Sequence, residues 1–114
     1  MPLNRNKLIE LFISNLTNSI VHEILEKATN QDELTEKYDK ELLNSLDIAK
    51  KYRDKINPTT SQLPYEDTTY IKNKIINKVR NELRLRISKG YTNINISLIE
   101  PLTDKYLKEL KIVE

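Results

Sequence analysis

The sequence predicts a mainly α fold: an antiparallel helical hairpin, a long basic third helix, and a small C-terminal strand–helix(–strand) unit. Three observations predict it. Apolar residues recur at three- and four-residue steps over three long stretches. Two of the four prolines, Pro58 and Pro64, fall between those stretches and the only glycine, Gly90, directly after the last of them, none of the three inside one. After Gly90 the period shortens to two. With 114 residues, 38% hydrophobic and 32% charged, the chain is expected to form one soluble domain with one modest core. The expected elements are helices at about 5–28, 31–56 and 67–89, a loop at 57–66, a strand at about 92–98 and a helix at about 101–110.

In the first helix Leu8, Ile9, Phe12, Ile13, Leu16, Ile20, Ile24 and Leu25 give a broad apolar face, wide enough to touch two neighbours. Pro2 and Asn4 lie just upstream, where a helix start tolerates them. Asn30 and Glu33 resemble a capping pair for the second helix, and Asp32 adds charge that its dipole favours. Leu34, Tyr38, Leu42, Leu46, Ala49, Tyr52 and Ile56 form its seam. Acids crowd its first half and Lys50, Lys51, Arg53 and Lys55 its end, a polarity that complements the macrodipole. The short Ala28–Thr29–Asn30 link makes these two helices antiparallel. Asn57-Pro58 stops the second helix, and residues 59–64 continue as a small, polar loop.

The third helix places Ile75, Ile76, Val79, Leu83 and Ile87 on an arc of about 120°, the width of a core-facing stripe. Gly90 stands where a helix end needs a left-handed residue. On the opposite face Asn73, Asn77 and Asn81 repeat every fourth position. Arg80 and Arg84 flank that line on one side, Lys74 and Lys78 on the other. From Lys72 to Lys89 there are seven bases and one acid, Glu82. Net charge is only +2, but residues 1–69 carry nine bases and twelve acids, whereas residues 70–114 carry ten and five. That asymmetry points to an anionic partner, nucleic acid or an acidic protein surface, with the cations holding charge and the amides offering hydrogen bonds. Two blander accounts stand beside it. A charge run also describes a plain solvated helix face, and twelve Asn with fourteen Ile suggest an AT-rich coding bias.

Beyond Gly90, Thr92, Ile94, Ile96 and Leu98 alternate with Asn93, Asn95 and Ser97, the pattern of a half-buried strand. Pro101 suits the first position of a helix, whose apolar side is Leu102, Tyr106, Leu107 and Leu110. Residues 111–114 are read either as a final short strand beside 92–98 or as part of a helical ending. This order, with Gly90-Tyr91 before the alternating run, resembles a layout found among small α+β accessory proteins of tailed phages. The resemblance covers residues 68–113. It departs at Leu110-Lys111-Ile112, where such proteins often carry Gly-Tyr before the last strand. It implies a viral accessory protein, an inhibitor of a host enzyme among the options.

Reactive chemistry is not expected. Without cysteine there is neither a disulfide framework nor a thiolate metal site. His22, the only histidine, has Glu26 one turn away, but two ligands fall short of the usual metal set. One glycine cannot build a phosphate loop. Glu23 and Glu26 read as a solvent-facing pair, and Tyr70 and Tyr91 as the aromatics nearest the basic helix. No enzyme activity, cofactor, membrane span or signal segment is expected, and a cytoplasmic location is the default. The alternative function is assembly, a homodimer through the apolar faces of the first two helices.

Overall fold

The computed structural model describes residues 4–57 and 63–113. Its helices are α1 (Arg5–Ala28), α2 (Asp32–Ile56), α3 (Tyr65–Ser88) and α4 (Ile99–Glu109), with a 3-10 turn at Ile96–Leu98. The fold is mainly helical, as the periodicity indicates. Part of the expected loop between α2 and α3, residues 58–62, lies outside the described residues.

α1 begins where the Asn4 side chain accepts a hydrogen bond from the Lys7 amide at 2.8 Å, an N-cap that satisfies one of the four free donors of the first turn. It buries eleven of its 24 residues, from Leu8 to Leu25. That face is the wall against which α2, α3 and α4 all pack. α2 returns antiparallel along it. Ser19, fully buried, donates across the pair to the Leu42 carbonyl at 3.3 Å. His22 Nε2 meets Glu41 at 2.6 Å while its Nδ1 sits 2.7 Å from the Asn18 carbonyl. A carbonyl oxygen can only accept, so Nδ1 carries the hydrogen of the bond to Asn18. The expected Asn30–Glu33 capping pair is not formed. Gln31 takes the N-cap position without a side-chain bond, and the Thr29 hydroxyl accepts from the Gln31 amide.

α3 starts at the same end as α1, where Arg5 pairs with Asp67 and Tyr70 donates to Glu10. It therefore runs up alongside α1. Ile71, Ile75, Ile76, Val79 and Leu83 are buried, but Ile87, expected in the stripe, is 42% exposed. The core ends one turn earlier than the period suggests, because the chain turns away directly after α3. Gly90 makes that turn at φ +99°, with the Gly90 amide bonded to Ile87 and the Tyr91 amide to Arg86, each at 3.0 Å. This is the paired 5→2 and 6→1 pattern that closes a helix end.

The strand expected at 92–98 is absent, and so is the one at 111–113; among the described residues there is no strand at all. Alternation needs a ladder partner, and none is offered. Asn93 adopts φ +64°, and the Asn95 side chain accepts from the Ser97 amide at 3.1 Å, which winds the segment into a 3-10 turn. α4 then begins at Ile99, with Pro101 in its first turn. At its far end Lys111 takes the left-handed position at φ +59°, while the Ile112 amide bonds to the Leu107 carbonyl at 2.8 Å. Both Leu107 and Ile112 are fully buried, the apolar contact typical of this closure.

Arg53 holds that end in place. It is 1% exposed, and its Nε and Nη2 donate to the Leu110 and Lys111 carbonyls, each at 2.9 Å. Nη1 reaches the Asn57 side chain at 2.5 Å. Burial draws its pKa down from the ordinary arginine value, and Asp54 partly offsets this. A cation at the C-terminal carbonyls of a helix also meets the negative end of its dipole. The chain thus runs up, down, up and down, with α4 docked on α1 and α3 and tied to the last turn of α2.

Arg53→Leu leaves the buried Leu110 carbonyl and the part-buried Lys111 carbonyl without their donors and is expected to lower unfolding free energy by about 2–3 kcal/mol in denaturant titration. Lys111→Gly relieves a left-handed lysine and should raise stability by about 1 kcal/mol, whereas Gly90→Ala should lower it by a similar amount. No atom lies within 4 Å of a Cβ built at Gly90, so that loss is conformational, not steric. Tyr106 is 4% exposed and donates to Glu23 at 2.6 Å; burial first, then that hydrogen bond, pushes its hydroxyl well above the ordinary value of 10.0. Its contribution is full below pH 10 and is lost as pH rises beyond it, because the unfolded chain ionises first. Denaturation midpoints measured from pH 8 to 11 should fall less steeply in Tyr106→Phe than in the parent chain.

Candidate nucleic-acid interface

α3 lies at the edge of the bundle. At about 100° per residue its buried side chains cover an arc of roughly 140°, leaving some 200° of its circumference to solvent. Asn73, Asn77 and Asn81 are all exposed, and their common direction is about 180° from the centre of the buried arc. Lys74 and Arg84 are exposed, and Lys78 and Arg80 are half-buried at the margins. The seven residues singled out by spacing therefore share one solvent-facing surface, an amide line between two cationic flanks.

Two bases of α3 are neutralised by the chain itself. Lys72 meets Asp104 of α4 at 2.9 Å, and Arg86 meets Glu82 one turn back at 3.0 Å. Lys74, Lys78, Arg80 and Arg84 form no ion pair among the described residues. Lys74 lies 5.9 Å above the Tyr70 ring, a cation–π contact that leaves its ammonium in water. The Tyr70 hydroxyl is bound to Glu10, which holds its pKa above the ordinary range. Acids gather at the N-terminal end of α3 (Glu10, Glu66 and Asp67), so the free positive charge is concentrated from Lys74 onward.

One flank is built jointly with α1. Lys78, Asn81 and Glu82 face Ser14, Thr17 and Asn18 across an open cleft of about 450 Å³. Glu82 is already engaged by Arg86, so Lys78 is the uncompensated charge there. The Thr17 hydroxyl is buried in the wall without a hydrogen-bond partner among the described residues. Spacing along α3 alone could not find Ser14 and Asn18. Their signal was nonetheless visible, since Glu10, Ser14 and Asn18 interrupt the apolar first helix at every fourth position.

The other sequence candidates separate. His22 turns to Glu41 on α2 and not to Glu26. Glu23 accepts from Tyr106, and Glu26 is raised above the usual carboxylate range by burial, then by Asp39 and Glu23. Among the described residues no three His, Cys, Asp or Glu side chains gather as a metal site. Tyr91 is 46% exposed beyond the end of α3, away from the amide line. The apolar faces of α1 and α2 offered for a homodimer are largely consumed inside the bundle, with Leu16 and Ile20 fully buried. No described helix is long and apolar enough to cross a membrane. Comparison with family models, with curated proteins and with solved structures finds no match to this chain.

Proposed function

We propose that this chain is a small non-enzymatic binding protein that holds an anionic partner on the basic face of α3. One observation carries the reading: Lys74, Lys78, Arg80 and Arg84 reach solvent from a single rigid helix while no described carboxylate of the chain pairs with them. Scattered surface cations are screened within a Debye length of about 8–10 Å. Four of them along some 15 Å of helix reinforce one another, and a polyanion laid across them releases its condensed counterions. No reactive group is required of the protein. Specificity comes from the order of charges and amides along the face.

Retention on heparin and polyglutamate resins, with elution by salt, tests this. The double variant Arg80→Glu/Arg84→Glu should no longer be retained at about 0.15 M salt, where surface charge is screened but not abolished. Lys105→Glu/Lys108→Glu makes the same change in charge at exposed positions of α4 and should still be retained. Equal losses in both variants would assign retention to net charge and remove α3 from the account.

A further inference from the structure

Resting on that reading, we infer that the anionic partner is double-helical DNA and that α3 enters its major groove, with the Asn73/Asn77/Asn81 line toward the base edges. Three features of the surface lead there.

The first is the transverse order of groups. Across α3 the sequence of side chains is cation, amide, cation: Lys74 and Lys78, then the asparagines, then Arg80 and Arg84. Across a major groove the order is phosphate, base edge, phosphate. With charges carried roughly 9 Å from the helix axis and flanks about 120° apart, the two rails stand some 12–16 Å from each other, against a groove about 12 Å wide. An acidic protein surface has no such repeat and would be held by the cations alone. A carboxamide offers a donor and an acceptor side by side, and that pairing is matched by adenine N7 and N6.

The second is clearance. A helix with its side chains is about 10–12 Å across, and one exposed over some 200° of its circumference can seat in the groove without its neighbours striking the backbone first. α1 and α4 brace α3 through its buried side, and where α1 also approaches the Lys78 and Asn81 margin the two helices are separated by an open cleft. A-form RNA is excluded by the same geometry, since its major groove is too narrow for a helix.

The third is the aromatic content of the face. A single-strand platform stacks bases on free rings. Here the only aromatic in line with the asparagines is Tyr70, and Lys74 and Glu10 already occupy its ring and hydroxyl. The acids around it also repel phosphate, so contact is confined to residues 73–84. That length, about 17 Å, spans about five base pairs.

The experiment uses the full chain and labelled probes in fluorescence anisotropy: a mixed-sequence duplex, the same sequence as a single strand, and polyglutamate. Four phosphate contacts predict a log–log salt slope of about −3.6 for the duplex, a loss of roughly 150-fold between 50 and 200 mM salt. A random duplex library should yield an enriched motif of about five base pairs. The variant Asn73→Ala/Asn77→Ala/Asn81→Ala removes only exposed amides and keeps every charge. It should hold the salt slope, bind the enriched duplex at least tenfold more weakly and enrich no motif. Tighter binding of the single strand, binding of polyglutamate alone, or an Asn variant indistinguishable from the parent overturns the inference while the basic-face reading stands. Self-association dissolved by Arg80→Glu/Arg84→Glu also overturns it, because the acidic start of α2 in a second copy would then be the partner. Failure to bind any of the three probes removes both readings together.

Discussion

One helix serves as the inner wall for all the others. α1 buries Leu8 through Leu25 on a face too broad for any single neighbour, and each fully buried aliphatic or aromatic side chain there contributes about 1.5–3 kcal/mol. Because α2, α3 and α4 all lean on it, each of them needs only a narrow apolar seam. α3 satisfies its share with five buried residues. The rest of its surface is released from packing, and polar and charged side chains can occupy it without cost to the core. The solvent-facing basic side of α3 is thus a consequence of how much α1 buries.

The three long helices and the turn at Gly90 were legible because each rests on local rules, periodicity and helix-end chemistry, that need no knowledge of the partner element. The C-terminal unit was not. Alternation at 92–98 describes a strand only if something pairs with it, and Asn93 and Asn95 supply turn chemistry that wins when nothing does. Lys111 shows the same limit from the other side: the absence of glycine gives no hint of a left-handed residue, yet the burial of Leu107 and Ile112 enforces one. Ile87 fits the period and still faces solvent, since a stripe read from sequence cannot say where its neighbour ends.

The basic face was legible for the same reason as the helix that carries it. What spacing could not show was which cations the fold would neutralise. Lys72 and Arg86 are bases of the same helix as Lys78 and Arg80, and it is the approach of Asp104 and the orientation of Glu82 that neutralise them. The cleft with Ser14 and Asn18 was hidden until α1 and α3 were placed in parallel. Arg53 was the least visible of all. It stands among Lys50, Lys51 and Lys55 as one more base at a helix end, and its burial depends on a helix more than forty residues further along the chain.

That arginine also governs how the molecule comes apart. Were α4 to lift away, a guanidinium held in the interior would be stripped of two of its acceptors, so its separation from α2 is opposed. Detaching α4 therefore takes part of the packing from the outer helix at the same moment as it uncovers an interior cation.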